Sequence, residues 1–256
     1  RLLRTEMATL IPYESALLDS RGNVIFGGLF CVDHKLDFDR LIFDRRPQNM
    51  FERRLGWARL PHGTLLTQLL VPTGQSVRGS GDDLSNFFYS LKHIDPWLVR
   101  NVVGDGTPLN GSDYLEFGAC ASRKYLLAFR IIGMGDANAV DLAQATHEQV
   151  LMDCGCMADP NLVRYGFPVP SPNETTWEGL YIDDHVVIQI VDTQAGGRKR
   201  RNNKQLKDET LLEASRKHYE VVGLPRALSK AFDKSFRFVA WGTEVDSHSG
   251  RVGVPN

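Results

Sequence analysis

The chain has 256 residues, 42% of them hydrophobic, enough for one large domain or two small ones with a sizeable core. Its formal net charge of −1 gives no bulk electrostatic support to nucleic-acid binding, which commonly goes with a clearly basic domain. Any such role has to rest on local charge.

In chain order, residues 1–25 hold one moderately helical stretch. Strand-like runs at 28–32 and 41–44, joined by a polar connection, predict a hairpin. Residues 45–80 are rich in Arg, Pro and Gly, with an apolar run at 65–71. Leu84, Phe87, Phe88 and Leu91 follow Asp83 at helical spacing. Residues 101–118 read as loop, and 125–132 as a strand. The clearest helix is 138–152, with Ala139, Leu142, Ala143, Thr146 and Val150 on one face. After a loop at 168–176, two strand runs across 180–191 are broken by Asp183-Asp184-His185. A basic stretch (196–208), a helix (209–222) and short strands at 236–241 and 243–245 complete the chain. Mixed hairpins and helices predict an α+β architecture.

Several function classes lack their signatures. There is no phosphate-binding Gly-x-x-x-x-Gly-Lys loop, no complete dinucleotide fingerprint and no Gly-x-Ser-x-Gly elbow. The histidines show no zinc spacing. His185 reads as a strand-end residue. Cys31, Cys120, Cys154 and Cys156 are too scattered for a disulfide framework and read as ordinary reduced thiols. No apolar run approaches the ~20 residues that span a bilayer, and no signal peptide is visible. These features predict an intracellular, cytoplasmic or nuclear protein without a membrane. Starting at Arg1, the chain reads as a segment of something longer.

The sharpest feature is Tyr181-Ile182-Asp183-Asp184. Adjacent carboxylates repel unless something neutralises them. A hard divalent ion does so, and Mg²⁺ favours one or two carboxylates plus phosphate oxygens. A plain Asp-Asp turn is the other reading. A second pair, Asp82-Asp83, stands about 100 residues upstream. If it meets the first in space, two or three carboxylates can hold two metals for phosphoryl transfer.

On these residues the chain resembles the reverse transcriptases of retroviruses and long-terminal-repeat (gypsy-like) retrotransposons. Tyr181-Ile182-Asp183-Asp184 is similar to their Tyr-x-Asp-Asp turn. Lys35, Arg40 and Asp44-x-Arg46-x-x-Asn49 match the fingers. Asp83 followed by Phe88, Gly135-x-x-Asn138-Ala139 with Gln144, Lys230, and Ala240-Trp241-Gly242 match in the family's order. Val140 departs where Pro is usual, and Gly133-Met134 where Pro-Phe is usual. The spacing from Asp83 to Asp183 is longer than the family's, with the extra residues expected near 101–118 and 157–176.

The resemblance implies an α+β right-hand polymerase fold. It places fingers at 1–80, with part of 101–135 returning to them, and palm at 81–256, including the catalytic and primer-grip hairpins. The thumb would follow residue 256, and its loss would cost processivity before chemistry. It implies an RNA-directed DNA polymerase using two Mg²⁺ (or Mn²⁺), dNTPs and a primed RNA or DNA template. Asp83, Asp183 and Asp184 become catalytic metal ligands, and Lys230 a proton donor to pyrophosphate, with Lys234 an adjacent alternative. Lys35 and Arg40 would meet the triphosphate. Phe88 would exclude a 2′-hydroxyl, and Gly135, Gln144 and Tyr181 would line the substrate. Trp241 and Gly242 would touch the primer. Phe88 and Trp241 also read as plain core. The basic run Arg198–Arg201 with Lys204 and Lys207 reads as a phosphate contact, a nuclear address or a solvated loop. Rival readings are a catalytically inactive relic that only binds nucleic acid, an RNA-dependent RNA polymerase, which Tyr181 and Phe88 oppose, and a structural protein.

Overall fold

A computed structural model describes residues 1–35, 38–193 and 206–255. The elements begin with β1 (Ala8–Pro12), β2 (Gly28–Lys35), β3 (Phe38–Asp44), α1 (Arg46–Asn49), β4 (Gln75–Asp83), α2 (Phe87–Ser90), β5 (Leu109–Asn110) and β6 (Lys124–Phe129). They continue with α3 (Ala139–Asp153), β7 (Thr176–Tyr181), β8 (Asp184–Asp192), α4 (Lys207–Val222), β9 (Phe232–Ser235), β10 (Arg237–Ala240), β11 (Thr243–Asp246) and β12 (Arg251–Gly253). The chain divides into two compact units, Arg1–Gly56 with Asn86–Asp141, and Trp57–Ser85 with Leu142–Asn256.

In the first unit, β1, β6 and β5 form an antiparallel sheet, and β2 and β3 form the expected hairpin. Leu29, Leu41 and Phe43 on the hairpin pack against Val103, Phe129 and Ile131. Phe43 meets the Phe129 ring edge-on at 5.0 Å between centroids, a favoured aromatic geometry. The helical expectation for residues 1–25 is corrected: Ala8–Pro12 is a strand. Its partner is Tyr125–Phe129, far along the chain, so local pattern could not reveal it. Arg45 is 1% exposed and forms ion pairs with Glu52 and Asp136. A buried guanidinium persists only with such partners.

In the second unit, an antiparallel sheet runs in the order β7-β8-β4-β9, with a smaller sheet β10-β11-β12. β8 is central and buried from His185 to Ile190, which explains its apolar residues Val186, Val187, Ile188 and Ile190. Val77, Trp177, Val186, Ile188, Phe238 and Val245 form the core. β4 has little apolar side chain of its own. Gly79 and Gly81 lie under the rings of Phe238 and Phe232, where a Cβ would clash. Arg78 ties β4 to the first turn of α4 through Asp208 (2.8 and 2.9 Å) and Glu209 (2.9 Å). Acidic residues there also suit the positive end of the helix.

Candidate active site

The site begins with the register of two strands. β4 ends at Asp83 and β8 begins at Asp184, and these two residues face each other across the sheet. The turn between β7 and β8 is narrower than the three-residue break expected from sequence: only Ile182 and Asp183 lie outside the strands. The Asp183 carbonyl accepts from the Leu84 amide at 3.1 Å, fixing the turn against the end of β4. Ile182 sits at φ 59°. A β-branched residue there is an outlier that costs about 1–3 kcal/mol and survives only when its surroundings enforce it.

Because strand residues alternate faces, the neighbours Asp82 and Asp83 have different fates. Asp82 is 3% exposed and lies between Arg216 (2.7 Å) and Arg226 (2.6 Å). It is a structural anchor. Asp83 turns to the site, where Lys230 Nζ donates to it at 2.6 Å. The Asp83 hydrogen bond, ahead of the nearby carboxylates, raises the Lys230 ammonium above its ordinary range and keeps it protonated.

Burial, then the Asp83 charge, raises the Asp183 pKa. Burial is also the first cause at Asp184, followed by a hydrogen bond with Asp83 and the charges of Asp83 and Asp183; together they push it up to about 7. Three crowded carboxylates with one ammonium beside them are short of positive charge. Their donor chemistry fits a hard divalent cation, whose binding would relieve the repulsion. Among the described residues, no group of three or more His, Cys, Asp or Glu side chains is arranged as a ready metal site.

Asp83, Asp184, Tyr181, Lys230 and Trp241 line a common cavity of about 710 Å³. Trp241 and Gly242 form the two-residue tip of the β10–β11 hairpin, at φ 50° and 75°, both positive as a tight hairpin turn demands. The Trp241 indole lies over Gly179 of β7, which has no Cβ to obstruct it. Gln144 is 2% exposed, and its amide is engaged by backbone: Nε2 donates to the Leu180 carbonyl (2.9 Å) and Oε1 accepts from the Ile182 amide (2.8 Å).

The remaining expected site residues belong to the first unit. Arg40 lies on β3 opposite Val32, and Phe88 is half-buried on α2 beside fully buried Phe87. At Gly135 a Cβ would strike the Phe43 carbonyl oxygen, and its own carbonyl accepts from Asn49 Nδ2 at 2.8 Å. The glycine is thus required by packing of its loop on the hairpin. Lys35 closes β2. The Lys35 side chain and the basic residues Arg198–Arg201 and Lys204 lie outside the described residues. Sequence reasoning missed Arg216 and Arg226, the partners of Asp82. It also missed His147 and Tyr219 beneath the turn. No motif marks any of them.

No family model and no curated protein matches the chain. Among solved structures it is similar to a foamy viral protease–reverse transcriptase in complex with double-stranded DNA. Identity is 15%, the TM-score is 0.57, and the match covers 100% of this chain and 40% of that one. A second complex of the foamy viral enzyme with double-stranded DNA gives 15% identity, TM-score 0.57 and coverage of 100% and 33%. The foamy viral enzyme in complex with an RNA/DNA hybrid gives 14%, 0.55, and coverage of 100% and 25%. The chain has a reverse-transcriptase-like fold. It spans no more than 40% of these proteins' lengths. Among the described residues, no helix is long and apolar enough to cross a membrane.

Proposed function

We propose that this chain is the polymerase core of a retroelement reverse transcriptase, adding deoxynucleotides to a primer 3′-hydroxyl on an RNA or DNA template. The observation that carries the reading is Asp83 facing Asp184 across β4 and β8, with Asp183 on the adjoining turn. In this reading the second unit is the palm and the first unit the fingers. Asp83, Asp183 and Asp184 would hold two Mg²⁺, which when bound would neutralise phosphate charge, activate the 3′-hydroxyl and stabilise the leaving pyrophosphate.

The chain's own groups do the rest. Lys230 carries a proton at Nζ beside Asp83 and is the donor to departing pyrophosphate. Tyr181 and the Trp241-Gly242 tip, which share the cavity with the carboxylates, orient the primer end. By resemblance, Lys35 and Arg40 meet the triphosphate, where cations are needed against a polyanion, and Phe88 excludes the 2′-hydroxyl.

One observation favours a second reading, a relic that binds nucleic acid without catalysis. Lys230 already pairs with Asp83 at 2.6 Å, giving that carboxylate a cation of the chain's own. Primer extension on an RNA template with dNTPs and Mg²⁺, run beside direct binding of the same labelled template–primer, separates the two. Extension supports the polymerase. Binding without extension supports the relic. A folded chain that does neither overturns both.

A further inference from the structure

Beneath the catalytic turn, α3 presents Gln144 and His147, three residues apart and therefore on one face of the helix. Gln144 takes the Ile182 amide. His147 Nδ1 lies 2.7 Å from the Ile182 carbonyl oxygen. A carbonyl only accepts, so Nδ1 carries the proton. Nε2 is then the acceptor, and Tyr219 Oη on α4 donates to it at 2.8 Å. His147 is 0% and Tyr219 1% exposed. Burial holds the imidazole neutral, with its pKa pushed down to about 3; the Ile182 hydrogen bond opposes the shift and His185 adds to it. Nδ1 therefore stays a fixed single donor.

Both backbone polar groups of Ile182 are thus taken by side chains of one helix. Left to itself, a two-residue turn with positive φ selects Gly or Asn. Here an Ile stands there, which requires that neighbours impose its conformation. Tyr219 anchors the imidazole from α4, so the chain Tyr219–His147–Ile182 links two helices to the residue before Asp183.

We propose that His147, backed by Tyr219, is a positioning residue for the polymerase reaction, holding the strained Ile182 so that Asp183 and Asp184 face Asp83. This rests on the proposed function. His147 touches no reacting atom in this account.

The test compares His147→Leu, His147→Asn and Tyr219→Phe with the parent, well below each unfolding midpoint. Asn keeps a donor close to the place of Nδ1, whereas Leu keeps only bulk. The expected result is a loss of kcat of about tenfold or more for His147→Leu with the dNTP KM within about threefold. His147→Asn recovers most of that loss, and Tyr219→Phe loses less. Two readouts need no substrate. Nitrogen NMR of the imidazole should show the Nδ1–H tautomer. Amide exchange at Ile182 and Asp183 should quicken about tenfold or more in His147→Leu, with Val187 and Ile188 unchanged.

An Nε2–H tautomer, unchanged exchange at the turn, or undiminished kcat in a folded His147→Leu would each overturn the proposal. A lowered midpoint with normal kcat would mean plain core packing, and so also overturns it. An inactive parent sinks the polymerase reading instead, and the tautomer and exchange results then decide whether His147 shapes the turn.

Discussion

Replacing Asp184 by Asn should make the protein more stable while abolishing its proposed chemistry. The folded state raises the Asp184 pKa from 3.8 to about 7. A shift of that size, about three units, corresponds to at most about 4 kcal/mol between the two protonation states. The group is half-buried, so solvent screening reduces this to about 1–2 kcal/mol. The sign follows from linkage. The folded pKa lies above the unfolded one, so the folded state holds its proton longer, and the parent loses stability as pH rises from about 4 to about 7. Asn carries no charge and escapes this loss. Thermal unfolding in metal-free buffer should therefore give Asp184→Asn a higher midpoint at pH 8, by about 2–8 °C for a chain of this size. The gain should shrink toward zero near pH 4. Millimolar Mg²⁺ should stabilise the parent and erase much of the difference. A variant no more stable than the parent at pH 8, or one whose gain is equal at pH 4 and pH 8, refutes the reasoning.

Asp82, one residue from the site, should behave oppositely. Asp82→Ala leaves Arg216 and Arg226 without their shared carboxylate and should cost about 3–5 kcal/mol in urea unfolding. Gly179→Ala puts a methyl into the Trp241 ring; it should cost about 1–3 kcal/mol and shift the tryptophan emission, whereas unchanged emission would contradict the packing. Phe88→Val should raise incorporation of ribonucleotides relative to deoxynucleotides by about tenfold or more, read by single-nucleotide extension, and an unchanged ratio would remove Phe88 from sugar selection.

The site was more legible in the sequence than the strands that build it. Tyr181 to Asp184 announce themselves because paired carboxylates between apolar runs need a reason, and the β2–β3 hairpin follows from local pattern. β4 does not, because Gln75–Asp83 carries two glycines and few apolar residues. It is a strand because β8 and β9 flank it and aromatic rings from later in the chain fill the space above Gly79 and Gly81. β1 depends in the same way on β6.

α3 is instructive because hydrophobic spacing marks only part of its inner face: Ala139 and Ala143 are buried as expected, and Leu142 and Val150 are half-buried. Thr146 is exposed, while Ala143, Gln144, His147 and Leu151 are buried. Two of those four are polar, so hydrophobic periodicity cannot count them. They face inward because the turn's backbone supplies their hydrogen bonds. His185 stands at the start of β8, as the strand-end reading expects, but it is fully buried, with Nε2 2.9 Å from Glu178 Oε1. Polar groups inside a core take their meaning from partners distant in sequence.

The most direct test of the central claim is primer extension by Asp183→Asn/Asp184→Asn beside the parent, on an RNA template with dNTPs and Mg²⁺, at equal occupancy of template–primer. Extension by the parent and none by a folded double variant that still binds template–primer is the predicted result. Equal extension by both, or binding by the parent with no extension at all, would contradict it.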